Sequence, residues 1–87
     1  MKIKDVDKYK GQQFYKSADL GLVTTLSLFF PIKKIDRSSP RKVLFFFDLT
    51  NKLNNFINEY WQNKIVVEPQ AFINQIKNIK TRIYSNE

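Results

Sequence analysis

The chain has no cysteine and no histidine among its 87 residues. The first absence excludes a disulfide framework. Together the two remove the best zinc ligands and the side chain most used for proton transfer near neutral pH. Glycine occurs only at Gly11 and Gly21, in no phosphate-cradling pattern. Acidic residues are few, eight against fifteen basic ones, and they are scattered. Asp19, Asp36 and Asp48 each have a simpler role as cap or turn residue than as half of a catalytic carboxylate pair. Tyr9, Tyr15, Tyr60 and Tyr84 read as core-edge residues, and no lysine is singled out for nucleophilic work. These absences point to a protein that is not an enzyme, with no metal, no cofactor and no small-molecule substrate inferred. Long apolar runs are missing too. The stretch from Leu20 to Phe30 is interrupted by Thr24, Thr25 and Ser27, and it is far short of the ~18–20 residues that span a bilayer. It follows a lysine-bearing segment, as a signal peptide would. However, Asp5, Asp7 and Asp19 lie in the would-be charged region, and Pro31-Ile32-Lys33-Lys34 is no cleavage site. The expectation is a buried helix in a cytoplasmic protein with no membrane partner.

What is present is apolar and basic. Hydrophobic residues make up 43% of the chain and aromatics 15%, enough for a real core in one domain. A chain of this length buries roughly 60–65% of its unfolded surface and is marginal alone, so a homodimer is expected to add stability. The net charge of +7 suggests a polyanionic partner, nucleic acid foremost. The same charge has a compositional reading. Lys, Asn and Ile account for 29 of 87 residues and Lys outnumbers Arg twelve to three, the bias of a low-GC bacterium or phage.

Along the chain, residues 1–13 read as a flexible basic arm or a short edge strand, carrying Lys2, Lys4, Lys8 and Lys10 among Asp5 and Asp7. Residues 14–87 read as a single domain. Ser17 is the expected N-cap of a first helix that runs to Phe30 and stops at Pro31. Leu22, Val23, Leu26, Phe29 and Phe30 share one face of it. Gly21, Thr25 and Leu28 form a narrow small-residue strip opposite, so the helix should pack on two sides, against a second helix or a twin chain. A hairpin follows, with strands at 32–36 and 42–48 around Arg37-Ser38-Ser39-Pro40-Arg41. Val43, Phe45 and Phe47 alternate with Leu44 and Phe46, so both faces of the second strand are apolar. Asp48 or Thr50 caps a second helix whose Leu53, Phe56, Ile57, Tyr60 and Trp61 form an amphipathic stripe ended by Asn63-Lys64. Ile65-Val66-Val67 is a candidate third strand. Glu68-Pro69 opens a last helix that turns Phe72, Ile73, Ile76, Ile79 and Ile83 inward. The order of elements predicts an α+β fold: a small antiparallel sheet covered by helices.

Three stretches carry a resemblance: Tyr15-Lys16-Ser17-Ala18-Asp19-Leu20-Gly21-Leu22, Arg41-Lys42-Val43-Leu44-Phe45-Phe46-Phe47-Asp48 and Tyr60-Trp61-Gln62-Asn63-Lys64. With a Pro-initiated helix that ends in Ile79-Lys80-Thr81-Arg82-Ile83-Tyr84, they resemble a family of small prokaryotic and phage domains of unknown function. Members share an aromatic-x-Ser/Thr-x-Asp-Leu start and a Phe-rich hairpin strand. The likeness spans roughly residues 14–84. The chain departs from the pattern at Thr24-Thr25 and at Phe30-Pro31, which bear on where the first helix ends. The resemblance implies the order of elements and no activity.

The sharpest feature is the hairpin. Lys33, Lys34, Arg37, Arg41 and Lys42 place five cations in ten residues, opposed by Asp36 alone. A cationic β-ribbon suits phosphate contacts, and because Phe45 and Phe46 lie on opposite faces of the strand, one of them is expected to be available to stack a base, with Phe46 taken as the candidate. These six residues are the candidate nucleic-acid-binding set. The bland alternative is that the cations keep an edge hairpin soluble and every Phe is core. If the tip is solvated, reversing Arg37, Arg41 and Lys42 to Glu should abolish binding while shifting stability by no more than about 1 kcal/mol. The competing function is a protein-interaction module: an adaptor, regulatory subunit or phage-encoded inhibitor using the Phe-rich strand or the small-residue side of the first helix.

Overall fold

A computed structural model describes residues 13–85 of the chain. Of the proposed arm at residues 1–13, all but Gln13 lies outside the described residues, as do the last two residues of the chain, and the Gln13 carbonyl accepts a hydrogen bond from the Leu49 N–H at 2.8 Å. The elements run β1 (Phe14–Ser17), α1 (Leu20–Ser27), β2 (Lys34–Asp36), β3 (Leu44–Asp48), α2 (Asn51–Trp61) and α3 (Pro69–Tyr84). The three strands form one antiparallel sheet in the order β1-β3-β2. The fold is therefore α+β, as the sequence predicts. The third strand is Phe14–Ser17 rather than residues 65–67. That connection does not pair with the sheet, and Val66 is 88% exposed.

The start of α1 also differs from the expectation. Ser17 ends β1, and its hydroxyl accepts a hydrogen bond from the Asp19 N–H at 3.0 Å. Asp19 is the N-cap, with its carboxylate accepting from the Leu22 N–H at 2.9 Å. The helix stops at Ser27, three residues before Phe30. Its last N–H groups tighten to shorter-range bonds, Leu28 to Thr25 and Phe29 to Leu26. Pro31 explains the early stop, since it cannot donate and it disfavours helical backbone at Phe30. Phe29 consequently leaves the buried face. It is 53% exposed and packs on Phe56 with ring centroids 5.0 Å apart.

Local chemistry fixes the other two helices where the sequence places them. The Thr50 hydroxyl, not Asp48, caps α2 by accepting from the Leu53 N–H at 3.0 Å. Asn63 ends α2 with φ 61°, and the Asn63 and Lys64 N–H groups bond back to Tyr60 and Glu59. This paired closure needs a left-handed residue, which Asn tolerates better than most. Glu68 caps α3 through the Gln70 and Ala71 N–H groups, with Pro69 at the first turn.

The core is one cluster: Leu22, Val23 and Leu26 of α1, Phe45 and Phe47 of β3, Leu53 and Ile57 of α2, and Ile79 of α3. All three helices thus share the face of the sheet that carries Phe45 and Phe47. The small-residue side of α1 is covered within the same chain. A Cβ on Gly21 would stand 2.9 Å from the Tyr60 hydroxyl oxygen, so glycine permits that close approach of α2. Thr25 and Thr24 are buried beside it. Ser27 accepts a hydrogen bond from the Gln75 side chain at 2.8 Å, tying α1 to α3. Three residues expected inside or at the core edge lie outside it: Ile73 is 49% exposed, Trp61 59% and Tyr84 78%.

Candidate nucleic-acid interface

Because side chains alternate along a strand, burying Phe45 and Phe47 sends Phe46 to the opposite face of the sheet, which none of the described helices covers. Cross-strand partners share a face. The register pairs Lys16 of β1 with Phe46, and Lys34 of β2 with Phe46. Lys16, Phe46 and Lys34 therefore form a row running straight across the three strands. The ammonium groups lie over the Phe46 ring, Lys34 Nζ at 5.2 Å and Lys16 Nζ at 5.9 Å from its centroid, within cation–π range. Phe14 adds an aromatic contact on this face, its ring meeting Phe46 at 6.1 Å with the planes 69° apart. None of Phe14, Leu44 and Phe46 belongs to the core cluster.

The rest of the basic hairpin divides among several jobs. Lys33 pairs with Asp48 at 3.7 Å on the rim, an exposed contact worth little to stability. Arg41 and Lys42 are exposed in the connection between β2 and β3. Arg37 is not a solvated tip residue. Its guanidinium donates to the Arg82 carbonyl near the end of α3, and its Nη1 is buried without a hydrogen-bond partner among the described residues. A cation there satisfies one of the carbonyls that a helix leaves unpaired and complements the helix dipole. Arg37 thus anchors the connection to α3, which corrects the expectation that reversing it is harmless to folding.

Asp36 tightens the start of the same connection. The Ser38 backbone N–H and then the Ser38 side chain hold its carboxyl below the usual carboxylate range, against an opposing desolvation and with smaller help from the charges of Lys34 and Lys16. Asp36 therefore stays ionised and partly offsets the two lysines near it. Elsewhere, burial and then the charge of Asp19 raise the hydroxyls of Tyr15 and Tyr60 above their ordinary value. Among the described residues, no group of three or more His, Cys, Asp or Glu side chains is gathered as a metal site, and no helix is long and apolar enough to cross a membrane.

A separate hollow of about 390 Å³ opens beside the C-terminal end of α2, lined by Thr25, Tyr60, Trp61, Asn63, Ile65 and Val67. Trp61 leans edge-on against Tyr60 there, with centroids 4.9 Å apart. Of the six candidate residues, the fold brings Lys34 and Phe46 into contact, leaves Arg41 and Lys42 exposed nearby, pairs Lys33 and diverts Arg37. It adds Lys16. Nothing local announces Lys16: Phe14-Tyr15-Lys16-Ser17 runs aromatic, aromatic, polar, polar, without the alternation of a half-buried strand, and Ser17 is itself a good cap residue.

Residues 12–85 match the family model described as Domain of unknown function (DUF5659). The chain belongs to that family. The matched region takes in every strand and helix of the fold, including the Lys16–Phe46–Lys34 row. No curated protein and no solved structure matches the chain.

Proposed function

We propose that this chain is a small non-catalytic nucleic-acid-binding protein that holds the phosphate backbone through its basic hairpin. The single observation that supports it most is the sheet face away from the described helices, where Phe46 lies between Lys34 of the hairpin and Lys16. Arg41 and Lys42, exposed in the connection between β2 and β3, add to the positive charge of the hairpin. Phosphate neutralisation supplies affinity without reading sequence, and each phosphate contacted steepens the log–log salt dependence by roughly 0.7–0.9. The expectation of a homodimer belongs to the same reading and is checked by sedimentation at working concentration. The decisive test is fluorescence anisotropy of labelled oligonucleotides, titrated at low and moderate salt. Binding that weakens steeply with salt supports the proposal, and no binding at low salt ends it.

A second reading is favoured by the hollow beside α2. Trp61 in its wall is the kind of exposed apolar group that protein partners cover, and Thr25, also in its wall, comes from the small-residue side of α1. On that reading the chain is a protein-interaction module. The two readings part on salt, because burial of apolar surface is not weakened by it.

A further inference from the structure

Resting on the nucleic-acid reading, we infer that the occupant of the sheet face left uncovered by the described helices is a single strand, with one unpaired base stacked on Phe46 and the flanking phosphates held by Lys16 and Lys34. The width of the sheet argues against a duplex. A major groove of about 12 Å admits a helix or a two-stranded ribbon. Here the strand carrying Phe46 is the central one, paired on both sides, so the outer strand axes stand about 10 Å apart before any side chain is added. Three helices back the other face. β3 is therefore not part of a free two-stranded ribbon of the kind that a major groove admits.

What the face offers instead is a platform. Phe46 is half-buried and contacts Phe14, so its ring orientation is supported. A half-buried ring in mid-sheet can stack only on a base that has left its own duplex stack, and stacking of that kind is tolerant of base identity. The two lysines stand in register on either side of the ring, one on each outer strand. This cation–ring–cation row complements the phosphate–base–phosphate order of one nucleotide. In the free protein both ammonium groups lie over the ring. On binding, the ring exchanges them for a base and the ammonium groups exchange the ring for phosphates. Lys16 thereby becomes a binding residue that belongs to β1, outside the hairpin.

The test compares an oligothymidine of about 12 nucleotides, within the range of known single-strand sites, with its duplex and with a phosphodiester chain of equal length that carries no bases. Deoxy and ribo forms of the base-bearing strand are both included. The expected result is tighter binding of the single strand than of the duplex. Phe46→Leu should lower affinity for the base-bearing strand about tenfold and leave the base-free chain unaffected, with circular dichroism confirming the fold. Lys16→Gln should reduce the salt slope on the single strand by roughly 0.7. Equal affinity for duplex and single strand, together with an inert Phe46→Leu and retained salt sensitivity, would overturn the stacked-base inference and leave the phosphate reading standing. Failure of all three ligands to bind at low salt would remove both.

Discussion

Arg37 and Arg41 carry the same charge in the same connection, yet only Arg37 has a structural task. It donates to the Arg82 carbonyl and is partly buried, whereas Arg41 is exposed. Arg37→Ala should therefore cost about 1–2 kcal/mol, the worth of a charge-assisted hydrogen bond that is partly open to water. Arg41→Ala should stay within about 0.5 kcal/mol. Urea unfolding midpoints of the two variants check this directly. The charge of Arg37 was legible in the sequence, but its partner was not. The carbonyl it meets belongs to a helix 45 residues further along the chain, and nothing in the local pattern of the hairpin points there. The caps were far more legible. Thr50 and Glu68 bond to N–H groups two or three residues away, so the contact and the signal for it lie in one short stretch. Even at this scale a near neighbour can mislead: Ser17 and Asp19 are both good caps, and the tertiary position of β1 gives the role to Asp19.

At the scale of the element, β3 holds three successive phenylalanines with two fates. Phe45 and Phe47 are buried at 1% and 0% exposure, while Phe46 looks outward. Phe47→Ala should cost about 3–5 kcal/mol through transfer and cavity terms, enough to unfold most of a domain this small. Phe46→Ala should cost only about 1 kcal/mol, since part of the ring is already in water. Thermal melts of the two variants, one residue apart, test which face is core. The alternation itself was plain in the sequence, but the buried face was not, because both sets are apolar. That choice depends on where three helices dock, and those contacts link distant parts of the chain. β1 was missed for a related reason. Four residues carry too little pattern to announce a strand, and Phe14–Ser17 becomes one only by pairing with β3.

For the whole molecule, the lack of histidine leaves no side chain with an ordinary pKa between the carboxylates and the thiol and amine range. Stability should thus be nearly flat from about pH 5 to pH 9. At the alkaline end, Tyr15 and Tyr60 have raised values in the folded state. The unfolded chain then loses these protons first, so stability is full below about pH 10 and falls as pH rises through the folded values. At the acid end the sign reverses. Asp36 is lowered in the folded state, so its contribution is present above the ordinary carboxylate value and is lost as pH falls through the folded one. Melting temperatures across this range should trace a plateau with two shoulders. Asp19→Asn, which keeps an N-cap acceptor, should shift tyrosine ionisation, read by ultraviolet absorbance, to lower pH. By itself the sequence determined the charge, the exclusion of thiol and imidazole chemistry, the capped starts of the last two helices and the α+β class, because each of these is carried by composition or by contacts within a few residues. Only the tertiary structure decided that Phe14–Ser17 completes the sheet, that Phe46 faces outward, and that Lys16 and Lys34 flank it. Strand pairing and helix docking bring together residues far apart in the chain, and a register across strands has no counterpart along one.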